Sequence, residues 1–362
     1  MKILHYVDEN NLSWARPYLQ ILRELESLGC DDVVVCRPGG TLASLLRSSG
    51  LKVVEYKPVI SSLPWLDVGF RDVLCALKPD IIHTRLSSAA NIAGYWGRKL
   101  KIPVLATIDK FPKRKYYENV SQLLPCSTPV ADFMAAQGIS KSKMTVIPNA
   151  VDVGFYARDF KIRNELRGRE GFADGDICFI GAGRFVDWKG FDDLVAAFSE
   201  FLKGQTVPEK FSLWLAGDGP EREKLEALVQ KLNLNERVKF WGFVEDVRPL
   251  LWASDIYIHP SWGDEAFGLS LLEAMASGLA VVASESGGMM EILNDAQGLL
   301  FPRRDVTALS ERMNTAIKRA DALTNASILR AKDFDAKIIA QKTFETYATF
   351  ARSSLQLLTP HP

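Results

Sequence analysis

Cysteine is scarce. The 362-residue chain has five, Cys30, Cys36, Cys75, Cys126 and Cys178, odd in number, scattered and never spaced as CxxC. That speaks against a disulfide framework and a zinc knuckle, and a reducing cytoplasm is the simplest setting. Histidine is scarcer: His5, His83, His259 and His361 show no metal-ligand spacing, and no metal is expected. There is no excess of either charge, with 44 Lys and Arg against 44 Asp and Glu. A general nucleic-acid binder would show a basic surplus, and a disordered chain a large unbalanced charge with low hydrophobicity. No apolar run reaches the roughly 18 residues of a membrane span. Asp8 and Glu9 interrupt the N-terminus before a secretory signal core could form. No repeat of 20–50 residues and no low-complexity tract is present.

What the chain does have is 47% hydrophobic residues in a length that suits two domains of roughly 150 residues each. Short β-branched runs alternate with amphipathic stretches: MKILHYV, DDVVVC, LKVVEY, DIIHT, PVLAT and MTVIPN, and then, restarting at residue 177, ICFIGAG, FSLWLAG, RVKFWG, DIYIHP, LAVVAS and QGLLF. This rhythm predicts an α/β protein with two parallel sheets. Between the series lies DFKIRNELRGREGFADGD, polar and rich in glycine and arginine, with little strand character and a turn at Asp174-Gly175. The expected division is 1–160, 161–334 and a terminal helical segment 335–362. Residues 1–150 carry 19 basic and 13 acidic residues, net +6, and the remainder 25 and 31, net −6. Lys110, Lys113, Arg114 and Lys115 cluster among Phe111, Tyr116 and Tyr117; a solvated loop and a contact for an anionic lipid surface or phosphorylated acceptor are both open readings.

The densest unusual segment is HPSWGDEAFGLSLLEAMASGLAVVASESGG, with Glu265 before a glycine-containing turn and Glu273 eight positions on, in an apolar helix. A carboxylate beside Leu271, Leu272, Ala274 and Met275 is costly without a partner, so Glu273 should have a hydroxyl or cationic neighbour. Eight helical residues rise about 12 Å, beyond the roughly 5–9.5 Å of a glycosidase pair, so the two glutamates read as separate ligand contacts. Phe267, Gly268, Leu269 and Ser270 would open that helix, offering free amides and a positive dipole end to a phosphate. The segment GRFVDWKG follows a strand directly, so Arg184 and Lys189 emerge where open α/β sheets hold ligands, as a fork and a point charge suited to a diphosphate. DGD at 174–176 has the form of an acidic metal pair, but its place in the linker favours an Asp-Gly turn.

GRFVDWKG, LAGDGPEREKL, VKFWGFVED, ASDIYIHPSWGDEAFGLSLLEAMASGLAVVAS, SGGMMEIL and GLLFPRRD, preceded by VIPNAVD, together resemble the C-terminal domain of family 4 retaining glycosyltransferases over roughly residues 145–305. The resemblance implies the GT-B fold, two Rossmann-like domains whose parallel sheets face a central cleft, with the terminal helix crossing back to the first domain. It implies transfer from a nucleotide-sugar, a UDP-sugar by family frequency, with retained anomeric configuration and no metal or other cofactor. Arg184 and Lys189 would bind the diphosphate, Glu265 the donor sugar hydroxyls and Glu273 the ribose, with backbone at Gly242 and Phe243 meeting the base. The acceptor would be a glycan or glycolipid, such as lipopolysaccharide core or another surface glycan, met in the cytoplasm or at the inner face of the membrane. The family's glycine-rich turn after the first strand and its T-x-H stretch are replaced by DENNLSWARPY and ATIDKF. Asp109 stands where that histidine would be; with His83, at a strand end, and Ser13, as a cap for the first helix, it forms the acceptor-side set. A nucleotide-sugar epimerase of the same architecture and a non-catalytic nucleotide-sugar-binding protein are the alternatives.

Overall fold

Runs of valine, isoleucine and leucine form a first parallel sheet: β1 (Lys2–Val7), β2 (Asp31–Cys36), β3 (Lys52–Glu55), β4 (Ile81–Arg85), β5 (Val104–Ile108) and β6 (Gln122–Pro125). The structure, a computed structural model, describes residues 1–11, 15–293 and 298–356. The strand order is β3-β2-β1-β4-β5-β6, with Leu4 of β1 opposite both Val33 and Ile82. Five successive residues of β1, of β2 and of β5 are buried, as required of strands covered on both faces. The expected strand MTVIPN is not one. Its residues run beside β6 through Thr145 N–H to Leu123 O (3.0 Å) and Ile147 N–H to Pro125 O (2.9 Å), with one isolated bridge. β6 itself, QLLP, is too short to show a period and closes on proline.

The second sheet comprises β7 (Ile177–Ala182), β8 (Phe211–Ala216), β9 (Val238–Gly242), β10 (Ile256–His259), β11 (Ala280–Ser284) and β12 (Leu299–Phe301), ordered β12-β11-β10-β7-β8-β9. In both sheets the order reverses at one point, between β1 and β4 and between β7 and β10, which is Rossmann topology. Phe179, Phe185, Phe191, Phe198 and Phe201 form the aromatic centre of the second core.

The boundary expected at 160 falls instead at Ala150, the second unit being Val151–Asp335. The side chains just after Val151 explain this: Tyr156 donates to Glu273, and Arg158 to the carbonyls of Ser277 (3.0 Å) and Gly278 (2.7 Å). The polar segment that followed is a helix, Phe160–Arg169, capped by Asp159. Arg163 and Arg167, one turn apart, reach the carbonyls of Trp252 and Ala253 at a helix end and share Asp255. Asp174-Gly175 is a turn. The helix Ala336–Gln356 belongs to the first unit, burying Ala336, Ile339, Ala340 and Tyr347 with Ile21, Leu25 and Leu105. Among the described residues no helix is long and apolar enough to cross a membrane.

Candidate active site at the carboxyl edge of the second sheet

Arg184 and Lys189 leave the end of β7, and Glu265 follows β10, the two strands that flank the reversal of order. Such a switch point is where an open α/β sheet forms a crevice for a ligand. Three hydrogen bonds, two of them backbone to backbone, lock the cationic loop to the acidic one. Trp188 O accepts from the amides of Trp262 (2.9 Å) and Gly263 (3.1 Å), and Trp262 Nε1 donates to Asp187 O (3.0 Å). Gly190 lies at φ 67°, and a Cβ there would stand 2.3 Å from Pro260 O, so glycine permits the close approach. Gly287 has φ 45° and would place a Cβ 2.1 Å from Glu265 O, while Gly288 N–H donates to that oxygen (2.9 Å). Side-chain chemistry is thus set on backbone fitted from both sides.

The Lys189 ammonium donates to Glu265 Oε1 and lies 4.7 Å from the centre of the Trp188 ring. The same oxygen accepts from Ser261 Oγ (3.0 Å) and His259 Nε2 (3.3 Å). Burial alone would raise the Glu265 carboxyl; the His259 and Lys189 contacts outweigh it and hold the group well below the usual carboxylate range. Burial pushes His259 down, while its hydrogen bond to Glu265 and that group's charge pull the other way. Arg184 is exposed and has no ion-pair partner among the described residues.

Glu273 sits in the helix Leu269–Ala276, where it accepts from Tyr156 OH (2.8 Å). The hydroxyl partner demanded by its apolar setting is therefore present, from a residue 117 positions away. Burial raises the carboxyl to about 7, opposed by the Tyr156 hydrogen bond. The helix begins without a side-chain cap, so the amides of Leu269 and Ser270 are available to an anion. The Phe267 ring is core, packed edge-on against Phe334, which leaves only its backbone for a ligand. Gly242, at φ 69°, gives its carbonyl to Gly217 N–H (2.8 Å), and the Phe243 ring beside it is 81% exposed.

With this geometry in place, the comparisons with known proteins become informative. The Glycosyl transferases group 1 model matches residues 162–331, and the Glycosyltransferase Family 4 model residues 18–155. The chain belongs to the family 4 glycosyltransferases. Among relatives of this glycosyltransferase is the lipopolysaccharide core biosynthesis glycosyltransferase LpsE of Rhizobium meliloti (strain 1021), 25% identical over 83% of this chain and 84% of its own length. The phosphatidylinositol N-acetylglucosaminyltransferase GPI3 subunit of Saccharomyces cerevisiae (strain RM11-1a) is 28% identical over 73% of this chain, which spans only 56% of that longer protein. The crystal structure of Anabaena HepE in complex with UDP superposes with a TM-score of 0.83, covering 96% of this chain and all of HepE at 22% identity, which shows a shared GT-B fold.

In the first unit of the glycosyltransferase, Asp109 follows the end of β5 and pairs with Arg85 (3.1 Å), its Oδ1 buried without a hydrogen-bond partner among the described residues. Arg85 in turn lies 5.4 Å from the centre of the Tyr18 ring. Of the two readings of His83, an acceptor-side group or a satisfied structural histidine, the geometry favours the second. Its Nδ1 meets Tyr347 OH and its Nε2 meets Thr107 Oγ1 (2.7 Å), so both ring nitrogens serve the interior of the unit, and burial holds its pKa well down. Ser13 lies outside the described residues. Sequence reasoning missed Tyr156, His259 and Ser261. Only the HPS tripeptide, six and four positions before Glu265, offered a signal for the last two.

Proposed function

We propose that this chain transfers a sugar from a nucleotide-sugar, with UDP as the nucleotide, to a saccharide or lipid-linked saccharide of a surface glycan, with retained anomeric configuration and without a metal. The observation that carries this reading is the meeting of Lys189 and Glu265 at the β7/β10 switch point, beside an exposed Arg184 and an uncapped helix start one turn before Glu273. Arg184 would take two oxygens of the diphosphate and Lys189 would neutralise the charge that develops as it leaves, the task a divalent ion performs elsewhere. Glu265 would orient the sugar, Glu273 the ribose, and the backbone at Gly242 and Phe243 the base. With no protein nucleophile, the departing diphosphate oxygen accepts the acceptor's proton on the face it leaves. Asp109, held by Arg85, is the acceptor-side group. UDP bound to HepE and the lipopolysaccharide core assignment of LpsE support the donor and acceptor classes.

Contact with an anionic membrane from the cytoplasmic side also belongs to this reading. The Lys110–Lys115 cluster supplies charge, and the loop before residue 68 supplies apolar surface: Val59 (70% exposed), Ile60, Trp65 (51%) and Leu66. This loop is anchored by Asp67, which accepts from Tyr56 OH (2.8 Å) and Val59 N–H (2.7 Å), and by Trp96 Nε1 donating to Pro64 O (2.9 Å). The reaction itself is tested by NMR of the product's anomeric centre, formed with EDTA present. The donor's configuration is expected in the product; an inverted product, or one that requires added metal, would count against the proposed chemistry.

A further inference from the structure

One oxygen of Glu265, Oε1, receives all three donors, from Lys189, Ser261 and His259; Oε2 receives none among the described residues, on a side chain that is 13% exposed. The three donors differ in what a ligand would do to them. Lys189 sits on a loop and carries the charge that a diphosphate would attract. His259, the last residue of β10, and Ser261, two residues on, are 3% exposed and fully buried. Ser261 is fixed further, because its carbonyl accepts from Ser284 Oγ at the end of β11. Lys189 can therefore leave Glu265 while the other two cannot.

In the free protein Lys189 and Glu265 neutralise each other. A diphosphate that drew Lys189 away would leave a carboxylate only 13% exposed without its counter-charge. Such a group either takes up a proton or swings out of place unless other donors hold it. The groups facing it are Lys189 from the loop after β7, and His259 and Ser261 from the β10 edge. Tyr257, buried on β10, gives its hydroxyl to Ala182 O (3.2 Å) instead.

We propose that His259 is a positioning residue which, with Ser261, keeps the Glu265 carboxylate fixed, ionised and presenting Oε2 to the sugar while Lys189 moves from Glu265 to the diphosphate. Lys189 thereby exchanges partners during each turnover, and Lys189 and Glu265 compensate each other's charge until the donor enters. This inference rests on the proposed roles of Lys189 and Glu265 in donor binding.

The test uses UDP as the probe on the full chain carrying ¹³C-labelled glutamate carboxyls, with Glu265 assigned through Glu265→Gln. In UDP-saturated wild type the Glu265 carboxyl should stay ionised below pH 5; in His259→Leu its midpoint should rise by at least one pH unit. His259→Gln, which can donate from a similar reach, should restore the low midpoint. UDP affinity should stay within about threefold in all three proteins. With donor and acceptor, kcat should fall roughly 10- to 100-fold in His259→Leu, the acid limb of its pH profile should move upward, and His259→Gln should recover most of the loss. If His259→Leu does not fold, Ser261→Ala is expected to give the same shifts at smaller size. An unchanged Glu265 midpoint in UDP-bound His259→Leu overturns the proposal, as does a parallel loss of UDP affinity and melting temperature that His259→Gln fails to restore. The carboxyl titration needs no turnover, so wild type and variants that titrate as described, with a wild type that transfers no sugar, would refute the transferase reading alone.

Discussion

Glu273 faces opposite demands in the free and the nucleotide-bound protein. Burial raises its carboxyl from an ordinary 4.5 to about 7, so the folded chain binds this proton more tightly than the unfolded chain does. Its contribution to stability is therefore complete below about pH 4.5 and is lost as pH rises through about 7. Ribose hydroxyls need the carboxylate as acceptor, so UDP affinity should run the other way, weakening by up to about tenfold per pH unit below 7. Tyr156→Phe removes the donor that opposes burial and should move this midpoint upward. Calorimetric titration of UDP between about pH 5.5 and 8.5 checks both, and a pH-independent affinity would remove Glu273 from the nucleotide site. At the diphosphate, Arg184→Ala and Lys189→Ala should each lower kcat by about 10² to 10³ at saturating donor, the scale of losing one preorganised donor to developing charge. Near-normal turnover in either variant would contradict its assigned role. Glu273, Arg184 and Lys189 could be picked out in the sequence because each lies at a fixed short distance from a strand or helix end. Tyr156 could not, since only folding brings it to Glu273, and the choice between an acceptor-side and a structural His83 was open in the sequence because its satisfaction depends on Tyr347, 264 residues away.

The element that most tests the fold is the helix Ala336–Gln356. Its amphipathic pattern was plain in the sequence, whereas the edge strand of the same unit was not: β6, with four residues and a terminal proline, gives too short a signal. The linker was misjudged for a different reason. Its arginines look like loop residues until Arg163 and Arg167 are seen to satisfy carbonyls at another helix's end, a contact that no local pattern encodes. Ending the chain after Asp335 would strip Ile339, Ala340 and Tyr347 from the first unit's core and leave His83 Nδ1 without its partner. Loss of cooperative unfolding in the first unit is expected, read by hydrogen exchange at β1 and β4; native protection in the truncated chain would show the helix to be dispensable. Tyr347→Phe isolates the hydrogen bond and should cost about 1–3 kcal/mol in thermal or urea denaturation.

At the scale of the whole molecule, a neutral total conceals a basic first half and an acidic second half. An exposed apolar loop together with a cationic cluster is the combination that gives reversible binding to anionic bilayers. Sedimentation with vesicles of phosphatidylcholine containing about one-third phosphatidylglycerol should therefore retain the protein. Trp65→Ser with Leu66→Ser should lower that affinity at least tenfold while leaving UDP binding unchanged; equal binding to purely neutral vesicles would contradict the electrostatic part. The central claim is sugar transfer at the β7/β10 edge, and its most direct measurement is mass spectrometry of pooled UDP-, GDP- and ADP-sugars with EDTA and a cell-envelope glycolipid extract, beside Glu273→Ala. The account predicts consumption of a UDP-sugar with a matching mass gain on a glycolipid, absent from the variant. Nucleotide-sugar isomerised without an acceptor, or bound and never consumed, would contradict it.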